Sequence, residues 1–88
     1  MERTISIGDA VKVVDEVGTL HDGLVTQQWG QPGRVIKDGE NPPAINVMYL
    51  SADEMKTDPY GRQIERLSSC SHRSTTTAPG RFWYFPNE

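Results

Sequence analysis

The chain has 88 residues, with nine Lys and Arg against twelve Asp and Glu, a net charge of −3 and 35% hydrophobic residues. That length allows a single domain, residues 1–88, with a small core and marginal stability. The acidic balance excludes a general, non-specific DNA binder, which carries a basic stripe.

Eight glycines and six prolines point to turns and short strands, not helices. One cysteine excludes an internal disulfide framework and fits a reducing, cytoplasmic setting. Residues 1–4 lead into no apolar stretch, so no signal peptide is expected. No run approaches the length of a membrane span, so no membrane partner is expected either. Residues 1–22 hold five acids and two bases, or −3, while residues 67–88 hold two bases and one acid, or +1.

Residues 1–7 are a short lead-in, in which Ile5 and Ile7 extend the first strand or cover one end of the fold. Residues 8–29 read as a hairpin. Gly8-Asp9 is turn chemistry, because Gly supplies unusual φ and Asp bonds its own backbone. Val11 and Val13 share one face of a strand and Lys12 takes the other. Residues 15–22 are polar and contain Gly18, so they form a loop. Gly23 reopens the chain, Leu24-Val25-Thr26 is a second strand, and Trp29 ends it half buried.

Gly8-Asp9-x-Val11-x-Val13, then Gly18, then Gly23-x-Val25, resembles the KOW motif of SH3-like barrels. Such domains occur in ribosomal proteins and transcription elongation factors. The resemblance covers about a quarter of the chain. It implies a small barrel that engages RNA or a nucleoprotein complex. The family often places basic residues in the loop, whereas this loop holds Asp15, Glu16, His21 and Asp22.

Residues 30–43 form a long loop punctuated by Gly30, Pro32, Gly33, Gly39, Pro42 and Pro43. Within it, residues 34–37 have the composition of a short strand flanked by bases. Residues 44–50 are the best strand of the chain. Ile45, Val47 and Tyr49 lie on one face and Met48 and Leu50 on the other, with Asn46 as the polar exception. A strand apolar on both faces reads as central. Residues 51–56 favour helix but are too few. Asp58-Pro59-Tyr60-Gly61 is a tight turn. Residues 63–70 return as the next strand, with a bulge expected because Ile64 and Leu67 sit three apart.

Residues 72–80 read as a Ser/Thr-rich linker that follows a barrel core of about residues 5–71. Residues 81–86 then hold four consecutive aromatics, which would not be left in water without a reason. Phe82 and Tyr84 alternate against Trp83 and Phe85. The segment is expected to dock on its own barrel, or on a second copy to give a homodimer.

Cys70, His72 and His21 offer ligand chemistry but lack the four-ligand spacing of a structural metal site. No phosphate loop and no nucleophile elbow is present. The fold expected is all-β: one small SH3-like barrel of about five strands with a long loop at residues 30–43. The function expected is a non-enzymatic binding module without cofactor or metal. Bases beside aromatics, namely Trp29, Arg34, Lys37, Tyr60, Arg62, Arg66 and Trp83, are the candidate binding residues. The alternative is a small protein-interaction or inhibitor factor that uses its acidic surface and its aromatic segment. Where Arg34, Lys37, Arg62, Arg66 and Arg73 lie on the surface separates the two.

Overall fold

The computed structural model describes residues 3–29, 35–37 and 39–88. Its strands in chain order are β1 (Arg3–Thr4), β2 (Ala10–Val14), β3 (Leu20–Gln28), β4 (Val35–Ile36), β5 (Ile45–Leu50), β6 (Thr57–Asp58), β7 (Gly61–Arg62), β8 (Ile64–His72) and β9 (Phe82–Tyr84). A 3-10 turn, Arg73–Thr75, follows β8.

Alternation decides which way each strand faces. Val11 and Val13 of β2, Val25 of β3 and Ile45 and Val47 of β5 all point inward and share one buried cluster with Leu67, Cys70 and Trp83. The strands pair in the order β2-β3-β5-β8-β9, and β9 returns to β2, closing a five-stranded barrel. The fold is therefore all-β, a small closed barrel of the kind shared by SH3-like and OB-like domains. Closure pairs every barrel edge.

β5 is central, antiparallel to β3 on one side and to β8 on the other. Both neighbours shift register opposite Asn46. In β3 the extra residue is Thr26, and in β8 the extra backbone falls at Ser68 and Ser69, where Ser69 has φ 52°. The β8 bulge thus lies just past the Ile64–Leu67 interval, and Ile64 and Leu67 simply face opposite sides. Bulges raise local twist, which a five-stranded sheet needs in order to curl shut.

The aromatic segment completes its own barrel. β9 pairs antiparallel with β2 and parallel with β8. The 3-10 turn and residues 76–81 carry the chain across between these two parallel strands. Residues 72–80 are thus built into the barrel: Thr75 Oγ1 donates to the His72 carbonyl, Thr76 Oγ1 accepts from the Ala78 N–H, and Gly80 is buried. A Cβ at Gly80 would collide with the carbonyl oxygen of Asp15. Arg81, at φ 61°, is pinned by its N–H to the Val14 carbonyl at 2.8 Å and by its guanidinium to Glu16 and the Ser68 carbonyl.

Between β3 and β5, β4 pairs with β1, with Thr4 opposite Val35. This ribbon brings Ile5 and Ile36, both fully buried, over the core. The β6–β7 ribbon turns at Pro59-Tyr60, with the Tyr60 N–H donating to Asp58 Oδ1 at 2.8 Å. Residues 51–56 are turn, not helix. Among the described residues no helix is long and apolar enough to cross a membrane.

Candidate functional site

The outer face of β2, β3, β5 and β8 carries the most distinctive surface. Outward side chains form two rows across these strands. One row runs Ala10, Leu24, Met48 and Arg66, each registered with the next. The other runs Lys12 opposite Asp22, then Leu50 opposite Ile64. Ala10, Leu24, Met48, Leu50 and Ile64 line a groove of about 260 Å³, with Asp22 at its margin and Gly23 and Tyr49 in its floor. Leu24, Leu50 and Ile64 are 38%, 58% and 49% exposed.

Gly23 shapes that floor. It pairs with Val11 on one side and Tyr49 on the other. A Cβ there would stand 2.8 Å from Val13 Cγ2 and 3.0 Å from the Met48 carbonyl oxygen. Only glycine lets β2, β3 and β5 approach so closely. The two-faced apolar pattern of residues 44–50 has its cause here as well. Ile45 and Val47 fill the core, while Met48 and Leu50 build an open groove.

A second hollow lies between the β2–β3 loop and the β5–β8 pair, lined by Asp15, Glu16, Val17, Tyr49, Glu65, Arg66 and Leu67. Its geometry is set by Asp15. One carboxylate oxygen accepts the N–H groups of Val17 and Thr19, and the other meets His21 Nε2 at 2.7 Å. Burial works to raise the Asp15 pKa, but the hydrogen bonds from His21 and from the loop backbone outweigh it and hold the carboxyl below its ordinary value. The His21 ring stacks on Tyr49 at 4.2 Å. Burial, with Asp15 and Glu65 nearby, keeps the Tyr49 phenol neutral by raising its pKa.

The sequence-based candidates do not converge. Trp29 is half exposed just past β3, and its backbone N–H donates to the Ala44 carbonyl at 3.2 Å. Arg34 lies outside the described residues. Lys37 is exposed after β4. Tyr60 is 99% exposed at the ribbon tip. Arg62 spends its guanidinium on the Ser51 carbonyl at 2.7 Å. Arg66 is exposed on β8, registered with Met48, and lines the second hollow beside Glu65, not the groove. Trp83, read from the sequence as a binding residue, is 0% exposed; it fills the core, and its indole N–H donates to the Pro43 carbonyl. It presents nothing to a ligand, because its phase in β9 points it inward.

Arg62 and Arg73 lie beyond opposite ends of the nine-residue β8. Other bases are engaged locally. Lys12 pairs with Asp22, Arg3 with Glu88, Arg81 with Glu16, and Arg73 stacks over the Tyr84 ring at 4.5 Å. The β2–β3 loop, where a KOW-like domain often presents bases, offers Asp15 and Glu16.

Chemistry at Cys70 is closed off. The thiol is buried, and burial pushes its pKa up to about 11. His72 is committed elsewhere, its Nδ1 accepting from the Ser74 N–H and its Nε2 meeting Glu88 Oε1 at 2.9 Å. Among the described residues no group of three His, Cys, Asp or Glu side chains could hold a metal ion. Three groups escaped sequence reasoning: the groove, the Asp15–His21–Tyr49 cluster and the His72–Glu88 contact. Each depends on register or chain reversal, which composition does not carry. Compared with known proteins, the chain matches no family model, no curated protein and no solved structure.

Proposed function

We propose that this chain is a non-enzymatic protein-binding module that takes an apolar segment of its partner on the outer face of β3, β5 and β8. The observation that carries this reading is the apolar stripe of Leu24, Met48, Leu50 and Ile64, which lie together along one open groove of the barrel's outer face. Contiguous exposed apolar surface of this kind marks interaction sites. The acidic net charge, and the local pairing of Arg3, Lys12 and Arg81, favour protein over nucleic acid as the ligand.

A KOW-like role on RNA or a nucleoprotein complex is the competing reading. Its support is the glycine and valine pattern of residues 8–29, with Trp29, Lys37 and Tyr60 exposed. Its weakness is the scatter of the bases.

Two binding measurements on one preparation test the proposal. Random peptides are panned on immobilised protein, and single-stranded RNA is titrated at low salt. The proposal expects aliphatic-rich peptides whose affinity falls tenfold or more, about 1.4 kcal/mol, in Leu24→Glu or Leu50→Glu, with melting unchanged. It expects no RNA binding. A salt-dependent RNA complex weakened by Lys37→Ala and Arg66→Ala, with no groove-dependent peptides, would overturn it.

A further inference from the structure

Taking the outer face as a protein-docking surface, as proposed above, we infer that its occupant is a second copy of this chain, held face to face by reciprocal Asp22–Arg66 pairs.

The charge layout carries the inference. Asp22 stands at one corner of the apolar stripe, on β3. Arg66 stands at the diagonally opposite corner, on β8. Two strand spacings and one side-chain repeat separate them, so their Cα atoms lie about 12 Å apart. Asp22 pairs with Lys12 through one carboxylate oxygen, and its side chain is still 86% exposed, so the carboxylate stays open to a second cation. Arg66 has no ion pair among the described residues, and it is exposed.

A two-fold axis lying in the plane between the two faces, and bisecting the line from Asp22 to Arg66 at a right angle, sets each Asp22 against the other copy's Arg66. The same operation lays aliphatic side chains over aliphatic side chains between the two ion pairs. A patch that carries an acid and a base on opposite corners of an apolar stripe is complementary to itself, which is what an isologous interface requires. A partner with acid at both corners, or base at both, would leave one like-charge contact. The barrel edges are paired, and the aromatic segment is seated on its own β2 and β8.

Sedimentation equilibrium of the full chain tests this, using the wild type and two charge reversals at exposed positions. The wild type is expected to approach twice the chain mass as concentration rises. Asp22→Arg sets an arginine against Arg66 of its mate, and Arg66→Asp sets an aspartate against Asp22, so each variant by itself should associate at least tenfold more weakly. Mixed in equal amounts, they should recover wild-type affinity. The arginine introduced at position 22 of one copy then faces the aspartate introduced at position 66 of the other, and the native Arg66 of the first faces the native Asp22 of the second. A merely structural effect of either substitution would not be rescued by mixing. A wild type that stays monomeric, or a mixture no tighter than its components, overturns the inference. Peptides that still bind in a Leu24-dependent way to such a monomer would leave the docking reading standing and remove the second copy as occupant.

Discussion

The side-chain carbonyl of Asn46 accepts the backbone N–H of Ser69 at 2.9 Å, at the level where both strands flanking β5 take on an extra residue. The one polar residue in an otherwise apolar strand is therefore the partner of the bulge beside it. The bulge holds Ser69 at φ 52°, outside ladder geometry, and leaves its N–H in need of an acceptor.

Asn46→Ala removes that acceptor. The expected loss is about 0.5–1.5 kcal/mol, the net worth of one hydrogen bond. Urea denaturation measures it. Amide exchange at Ser69 should rise more than at Val47, which sits in the intact ladder.

Gly23→Val should destabilise by about 1–3 kcal/mol, because the new side chain meets Val13 and the Met48 carbonyl at once. Both neighbours belong to packed strands, so neither yields cheaply. An unchanged melting temperature would contradict the close approach of β2, β3 and β5.

Acid should weaken the fold through Glu88 and Asp15. Burial opposes the Glu88 charge, but hydrogen bonds from His72 and the Phe85 N–H, with Arg3 at 2.7 Å, outweigh it and hold the carboxyl below its ordinary value of 4.5. A carboxyl depressed in the folded state contributes stability that is complete above its unfolded value. That stability is lost as pH falls through the lower folded value. Thermal melts across this range should therefore show a falling midpoint on acidification. Glu88→Gln should flatten the fall, and Asp15→Asn should flatten it further.

The aromatic segment should be indispensable to the isolated chain. Trp83→Ala removes a fully buried ring and is expected to cost about 3–5 kcal/mol. Truncation after Gly80 removes β9 and leaves β2 and β8 with open edges. The truncated chain should unfold or aggregate, as read by circular dichroism and sedimentation. A folded truncated chain would mean that β9 does not close the barrel.

Several of these features stand in the sequence as short-range patterns. Val11 and Val13, Val25, and Ile45 and Val47 show the period of two that a half-buried strand requires, and residues 82–85 divide by the same period into two pairs without saying which pair turns inward. Asp58-Pro59-Tyr60-Gly61 states its turn in its own side chains. Register is different, because it joins residues far apart in the chain. Leu24 and Ile64 read as ordinary strand residues until β5 brings them to one face. Residues 34–37 read as a short strand, but nothing in them names β1 as the partner that buries Ile36. Trp83 is a plausible ligand platform by composition, and the alternation that buries it says nothing about binding. Arg66 and Asp22 likewise gain meaning from the strand between them.

The groove is tested most directly by amide chemical-shift mapping of isotope-labelled protein as the tightest selected peptide is added. Shifts are expected to cluster at Leu24, Met48, Leu50 and Ile64, with Tyr60, Arg62 and Trp29 unmoved. Shifts confined to Trp29 and the β6–β7 ribbon, with the four groove residues silent, would contradict a docking site on this face.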